Sequence, residues 1–375
     1  MLFYFMLLGL YIFFGVIISI SFNNKQASKK IQSLLMVIIF GSISAARAVN
    51  VGTDTQLYNN LYNSDYEAGN WYKILGSKYP LYSLYTYLLH FVSSKSQIIV
   101  AVTSLIIIVT VTISIYYYSD NVLLSNILYV TLYFFFNSMN ISRQFLAIGI
   151  LMIATVCLNQ KKPCFFWVLF IFACLIHSTA FIGIVFFIIH SINWNKKRST
   201  LFGAFMVVLL TFYQKIQNAF MVFFPSYSIY GSTSNVTGVE TLSSHSNGGA
   251  LLLTMFYIGF ICIAALCKVR FKDEGRRDRF TFLTHVMLVA VIFELLFYKD
   301  ILMTRVFLYL SIFSIVYIPE VIELFVINID TTHMNKYLIR FLIIFGVIAT
   351  TFIPLYVQLN KNLSDVIPYT TFITK

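Results

Sequence analysis

Apolar residues along this chain gather in long runs separated by short polar breaks. The first run, Leu2 to Ile20 (LFYFMLLGLYIFFGVIISI), and a late one, Leu338 to Tyr356, approach the roughly 20 residues that cross a hydrocarbon core. Further runs predict spans at Ile31–Ala46, Ile98–Tyr118, Val122–Asn137, Gln144–Leu158, Pro163–Ile176 and Thr179–Ile192. Others follow at Leu201–Tyr213, Ala250–Leu266, Phe280–Phe297 and Ile301–Ile318. The pattern therefore predicts an all-α, polytopic transmembrane helical bundle of about 12 spans, within a range of about 10 to 14. Leu81–Val92 (LYSLYTYLLHFV) is apolar but short, and reads as a re-entrant or interfacial helix.

The polar breaks are of two kinds. Basic clusters stand at Lys25–Lys30, Lys161-Lys162, Lys196–Arg198 and Lys268–Arg279 (KVRFKDEGRRDR). Placing all four inside follows the positive-inside rule and puts both termini outside. Two longer breaks, about 47–96 and 224–249, then become outer loops of one integral membrane domain spanning 1–375. The second is rich in Ser, Thr, Gly and Asn and has no periodic pattern, so a mobile loop is expected. The first run carries no basic residue before it and no small-residue cleavage site after it, so it reads as a retained span.

Composition agrees. The 375 residues are 59% hydrophobic and 11% charged, against about 25% charged in soluble domains. The net charge of +12 is accounted for by the basic loops, so nucleic acid is not implied. The five cysteines lack metal spacing and read as small hydrophobes, and no metal site is expected. No nucleotide-binding signature appears, and the inner loops are short. Chemistry in such a chain needs an already activated substrate, reached from the membrane or the outer face.

With this topology the notable polar residues collect on the outer side. They are Arg47, Asp54, Arg143, His177, Glu294, Lys299, Asp300, Arg305 and Tyr369. Ordinary structural roles compete for each. Arginines at span ends snorkel to the interface, a lone His is commonly a hydrogen-bonded core residue, and Asp54 suits a helix cap. Lys299 and Asp300 suit a solvated turn. Glu294 lies in an apolar run and calls for a partner, Arg305 or Lys299.

Several segments together resemble the EpsG-like, Wzy-type polysaccharide polymerases. Arg47 followed by Gly52-Thr53-Asp54, Tyr58 and Tyr62 is similar to their "R…GTD…Y…Y" pattern. Ser142-Arg143-Gln144 through Ala147 resembles their mid-chain helix start, and Ala173 through His177-Ser178 to Ala180 their "A…H-S-A" turn. Arg305–Pro319 and Ile367-Pro368-Tyr369 also look similar, so the likeness covers most of the chain in order. One departure stands out. Such proteins often carry an acidic residue just before a Gly-Tyr that opens a helix, where this chain has Lys78-Tyr79-Pro80-Leu81-Tyr82. Glu67 would have to supply any carboxylate required there.

The resemblance implies a multi-pass protein of the bacterial inner membrane with its active site facing the periplasm. It implies polymerisation of undecaprenyl-diphosphate-linked oligosaccharide repeat units, O-antigen or a similar surface polysaccharide. Lipid diphosphate is then the leaving group, and no cofactor is implied. Partners would be the lipid-linked oligosaccharides, membrane lipid and a chain-length regulator protein, with no nucleic acid. Arg47, Arg143 and Arg305 are candidates to hold diphosphate, because guanidinium forks match phosphate oxygens. Asp54 and His177 are candidate bases. Tyr58, Tyr62, Trp71, Tyr82 and Tyr369 suit sugar contacts or interfacial anchoring, and Glu67 and Glu294 are further candidates. A lipid-linked oligosaccharide flippase and an O-antigen ligase are the rival readings. A flippase calls for polar residues at mid-membrane and repeated halves, neither of which is apparent. An acyltransferase would need an inner-face His, for which His190 is the only candidate.

Overall fold

The computed structural model describes residues 1–68, 74–212, 215, 248–267, 271, 273–297, 301–328 and 335–373. Among these residues every regular element is helical, and one isolated bridge joins Arg47 to Thr371. The chain divides into two compact units, Met1–Ile184 with His333–Lys375, and Val185–Thr332.

In the first unit, α1 is Leu2–Ser21 and α2 is Lys25–Ala46. Asn24 caps α2, its side chain accepting from the N–H groups of Gln26 and Ala27. The basic cluster predicted as a loop is thus the first turn and a half of a span. A π-helical stretch, Val37–Gly41, interrupts α2 before its last turn. Two short helices lie beyond it, α3 (Thr55–Ala68) and α4 (Pro80–Leu89). Then come α5 (Gln97–Tyr118), α6 (Val122–Thr131), α7 (Phe134–Asn140), α8 (Ser142–Asn159) and α9 (Pro163–Ile176). A 3₁₀ turn, Ser178–Gly183, leads into α10 (Ile184–Ser191), across the boundary between units. The long C-terminal helix is α16 (Lys336–Asn360).

α5 and α8 form the middle of this unit. α2 and α3 pack on α5, α9 packs on α8, and α5 and α8 pack on each other. Gly149 permits that last contact, because a Cβ there would collide with the Thr110 hydroxyl. α1 and α16 expose apolar rows, including Phe13, Ile20, Phe341 and Phe345, as helices facing lipid do.

The second unit holds α11 (Lys196–Thr211), α12 (Gly248–Leu266), α13 (Glu274–Phe297), α14 (Ile301–Ser311) and α15 (Ser314–Asn328). α13 is its hub, packing on α11, α12, α14 and α15. The outer loop expected at 224–249 falls almost wholly outside the described residues.

Among the described residues six helices are long and apolar enough to cross a membrane. They become eight if the bent pairs α6–α7 (56°) and α14–α15 (41°) are each one span. This is a membrane protein. The expectation of about twelve spans counted α9, the Ser178–Ser191 stretch, α11 and α12 as full crossings. A 14-residue helix such as α9 is about 21 Å long against a core of about 30 Å. The α6–α7 break sits at Tyr133, whose φ of 69° is a left-handed conformation no helix sustains. The ten-residue α4 reaches about 15 Å, too short to cross.

Candidate functional site

Within the first unit the two kinds of polar residue separate along the helices. α2 and α9 begin, and α8 ends, at the basic clusters Lys25–Lys30 and Lys161-Lys162. α2 and α9 end, and α8 begins, at Arg47, His177 and Arg143. Lys25 pairs with Asp120 at 3.6 Å, and Lys29 lies over the Tyr116 ring, both at the basic end.

Arg47 follows the last turn of α2 and is 1% exposed. Its Nη1 donates to Ser44 O (2.6 Å), Ser44 Oγ (3.1 Å) and Ser104 Oγ, and its Nη2 to Met139 O (3.1 Å) and Ser142 Oγ (3.0 Å). These oxygens come from α2, α5, α7 and α8. Burial pulls the guanidinium down to about 10, which leaves it charged at neutral pH. Arg47 is therefore a buried cation whose two Nη atoms are clamped by neutral oxygens, while its buried Nε has no hydrogen-bond partner. The diphosphate contact expected of it has no counterpart in this arrangement, in which both Nη atoms already donate within the protein.

The loop after Arg47 is pinned at both sides. The Gly52 N–H donates to Asp365 O (2.8 Å) at a φ of 95°. A Cβ on Gly52 would lie 2.8 Å from both Met139 O and Thr55 Oγ1, so only glycine fits this left-handed turn. Thr53 Oγ1 and the Asp54 N–H both donate to Asn140 Oδ1, at 2.6 and 3.1 Å. Asp54 directly precedes α3, and its carbonyl accepts from the Tyr58 N–H (3.1 Å). The C-terminal tail completes the clasp. Ala48 N–H donates to Thr370 O (2.9 Å), and Phe372 N–H to Ala46 O (3.1 Å).

Arg143 opens α8 and stands on aromatic faces. Its guanidinium carbon is 3.9 Å from the Tyr79 ring centre, 5.4 Å from Tyr82 and 6.0 Å from Tyr58. Its Nε has no hydrogen-bond partner, and among the described residues no carboxylate pairs with it. The backbone N–H of Arg143 reaches the Tyr58 hydroxyl at 3.5 Å. His177 ends α9 and lies 5.6 Å from the same Tyr79 ring, nearly parallel at 15°. Its Nδ1 is hydrogen bonded with Thr179 Oγ1 at 2.7 Å.

Two of the expected residues, Arg143 and His177, thus meet at the Tyr79 ring, Tyr58 and Tyr82 lie beside Arg143, and the Asp54 N–H is tied to Asn140 one turn before Arg143. Tyr79 was not among the residues expected at a site. Its signal was the Lys78–Tyr82 departure itself, where an aromatic directly precedes the proline that opens α4.

Others are placed elsewhere. Tyr58, Tyr62 and Tyr82 are 5%, 0% and 2% exposed, so their rings face protein rather than an open groove. Tyr62 stacks on His90 at 3.8 Å and donates to Ser93 O at 2.6 Å. Tyr369 donates to Ile43 O (2.8 Å) and stacks on Phe3, fastening the tail to α2 and α1. In this arrangement the rings of Tyr58, Tyr62 and Tyr82 pack within the protein, and Tyr369 is half-buried against α1 and α2. Glu67 lies in the last turn of α3, with its side chain outside the described set. Trp71, Lys299 and Asp300 also lie outside it. In the second unit, Glu294 is buried on α13 and Arg305 is exposed on α14, two helices that pack together. That unit also holds an ion pair the sequence did not suggest, Arg276 Nε to the buried Glu320 Oε1 at 2.6 Å. Among the described residues no group of three or more His, Cys, Asp or Glu is placed to hold a metal.

No curated protein and no solved structure matches this chain. The family model described as EpsG family matches residues 30–371, nearly the whole length. The chain belongs to the EpsG family, whose polymerases are Wzy-type.

Proposed function

We propose that this EpsG-family membrane protein joins undecaprenyl-diphosphate-linked oligosaccharide repeat units at the outer face of a bacterial inner membrane. Family membership supports the coarse statement, a membrane protein of polysaccharide-polymerase type. The observation that carries the finer one is Arg143. It is a cation held on aromatic faces and, among the described residues, paired with no carboxylate, at the end of the first unit opposite the basic clusters.

The chemistry is a glycosyl transfer. The anomeric C1–O bond to diphosphate breaks, and its electron pair leaves on the phosphate oxygen. An acceptor hydroxyl oxygen forms the new bond to C1, and its proton passes to a base. Arg143 stabilises the charge that grows on the diphosphate, a contribution of about 10²-fold or more in rate for one well-placed donor. Asp54 and His177 are the proposed proton acceptors: the Asp54 backbone N–H is bonded to Asn140, and the His177 ring stacks on the Tyr79 ring that Arg143 also contacts. Arg47 ties α2 to α5, α7 and the start of α8, the helix that carries Arg143, and takes no direct part. Arg305 is proposed as a further diphosphate ligand, to be tested by its own substitution. A chain-length regulator remains a proposed partner.

Removing the chain from its cell and resolving the surface glycan on a gel tests this reading. A polymerase predicts that the ladder collapses to a single repeat. Loss of every surface repeat contradicts it and favours the flippase or the ligase. Replacement of Asp54 by Asn and of His177 by Gln, at wild-type protein level, should each shorten the ladder. Full-length ladders in both would remove the assigned bases.

A further inference from the structure

The Tyr79 ring gathers more than Arg143. Lys78 Nζ lies 5.5 Å from its centre, Arg143 at 3.9 Å and the His177 ring at 5.6 Å. Three basic side chains from three separate segments thus converge on one neutral ring. Among the described residues neither Lys78 nor Arg143 forms an ion pair. The backbone holds this ring firmly. Tyr79 is the residue before α4, with φ −135° and ψ 70°, and Pro80 fills the first helical position. Proline fixes its own φ and pushes the residue before it out of the helical region. α4 in turn packs on α3 and on α9, the helices that bring Tyr58 and His177.

A ring face holds a guanidinium differently from a carboxylate. It contributes cation–π attraction while leaving the positive charge unneutralised and the N–H fork unoccupied. We propose that Tyr79 is a positioning residue that assembles Lys78 and Arg143 into a two-cation subsite for a prenyl diphosphate, one cation for each phosphate. This rests on the reading of Arg143 as the diphosphate ligand, and adds Lys78 as a binding residue and Tyr79 as the element that orients both.

The test uses the purified full chain in detergent, titrated by calorimetry with farnesyl diphosphate and farnesyl monophosphate. The wild type should prefer the diphosphate. Tyr79→Phe keeps the ring face and should bind within about two-fold of wild type, whereas Tyr79→Leu should weaken the diphosphate about ten-fold. Lys78→Ala, at an exposed position, should weaken the diphosphate while leaving the monophosphate within about two-fold. Its exposure keeps the test valid even if Tyr79→Leu does not fold. The proposal is overturned if Tyr79→Phe binds as weakly as Tyr79→Leu, if Tyr79→Leu and Lys78→Ala bind as wild type, or if the wild type binds neither ligand. The two readings separate cleanly. Binding changes as described with a normal glycan ladder in Arg143→Ala would keep the subsite and remove the polymerase reading. A collapsed ladder in Arg143→Ala with unchanged binding in the Tyr79 and Lys78 variants would do the reverse.

Discussion

Arg47 and Arg143 stand at the same end of the first unit, joined through the Arg47–Ser142 hydrogen bond. The sequence treats both alike, as arginines on the outer side, opposite the basic clusters. Their surroundings differ completely. Arg47 is sunk among five oxygen contacts from four helices. Arg143 rests on Tyr79, Tyr82 and Tyr58. Neutral oxygens that accept from both Nη atoms of a buried cation fix the helices around it, because removing the cation orphans several buried acceptors at once. Aromatic faces hold a cation in place while leaving its donors for something else. What surrounds them is the ground on which we propose one of two identical side chains for architecture and the other for chemistry.

The largest effect that can break this comparison is on stability. Arg47→Met should cost about 3–5 kcal/mol, as for removal of one member of a buried charged network. The measurements are protein abundance in the membrane fraction and the thermal midpoint in detergent. A variant that accumulates and melts as wild type yet makes no polymer would place Arg47 with the substrate after all. A smaller effect comes from the loop the clamp supports. Gly52→Ala must place a Cβ against Met139 O at a φ of 95°, and should cost about 1–3 kcal/mol. An unchanged melting temperature there would mean that the loop relaxes freely and that the pinning of Asp54 is incidental. The smallest concerns the tail. Tyr369→Phe loses the bond to Ile43 O, about 1 kcal/mol, and should lower the midpoint slightly without shortening the glycan. A short ladder in Tyr369→Phe would return that hydroxyl to the substrate.

The helical bundle was legible because a run of apolar residues near span length has few alternatives. Its edges were not. Lys25–Lys30 reads as a loop from its charges, yet Asn24 caps a helix that carries those lysines into a span. The α13 start hides in the same way inside KVRFKDEGRRDR, where Glu274 opens the helix. The α6–α7 break was invisible because Tyr133 in a left-handed conformation has no sequence signature. At the site, Arg143, His177 and Asp54 could be singled out because charged groups near apolar spans are costly. Their sorting could not be. The partners that make Arg47 structural, Ser104, Met139 and Ser142, are distant in the chain, and ordinary residue types. Tyr79 gained its place from contacts with α8 and α9, which no local pattern encodes.

The central claim is that Arg143 acts on the substrate and not on the fold. It is tested most directly by the polymerisation rate of purified Arg143→Ala, supplied with lipid-diphosphate-linked repeat units at an amount and melting temperature matched to wild type. A drop of about 10²-fold or more is predicted. Arg143→Lys should recover less than about a tenth of the lost rate, since a point charge does not replace the fork. A rate for Arg143→Ala within about two-fold of wild type, with the protein folded, would contradict the account.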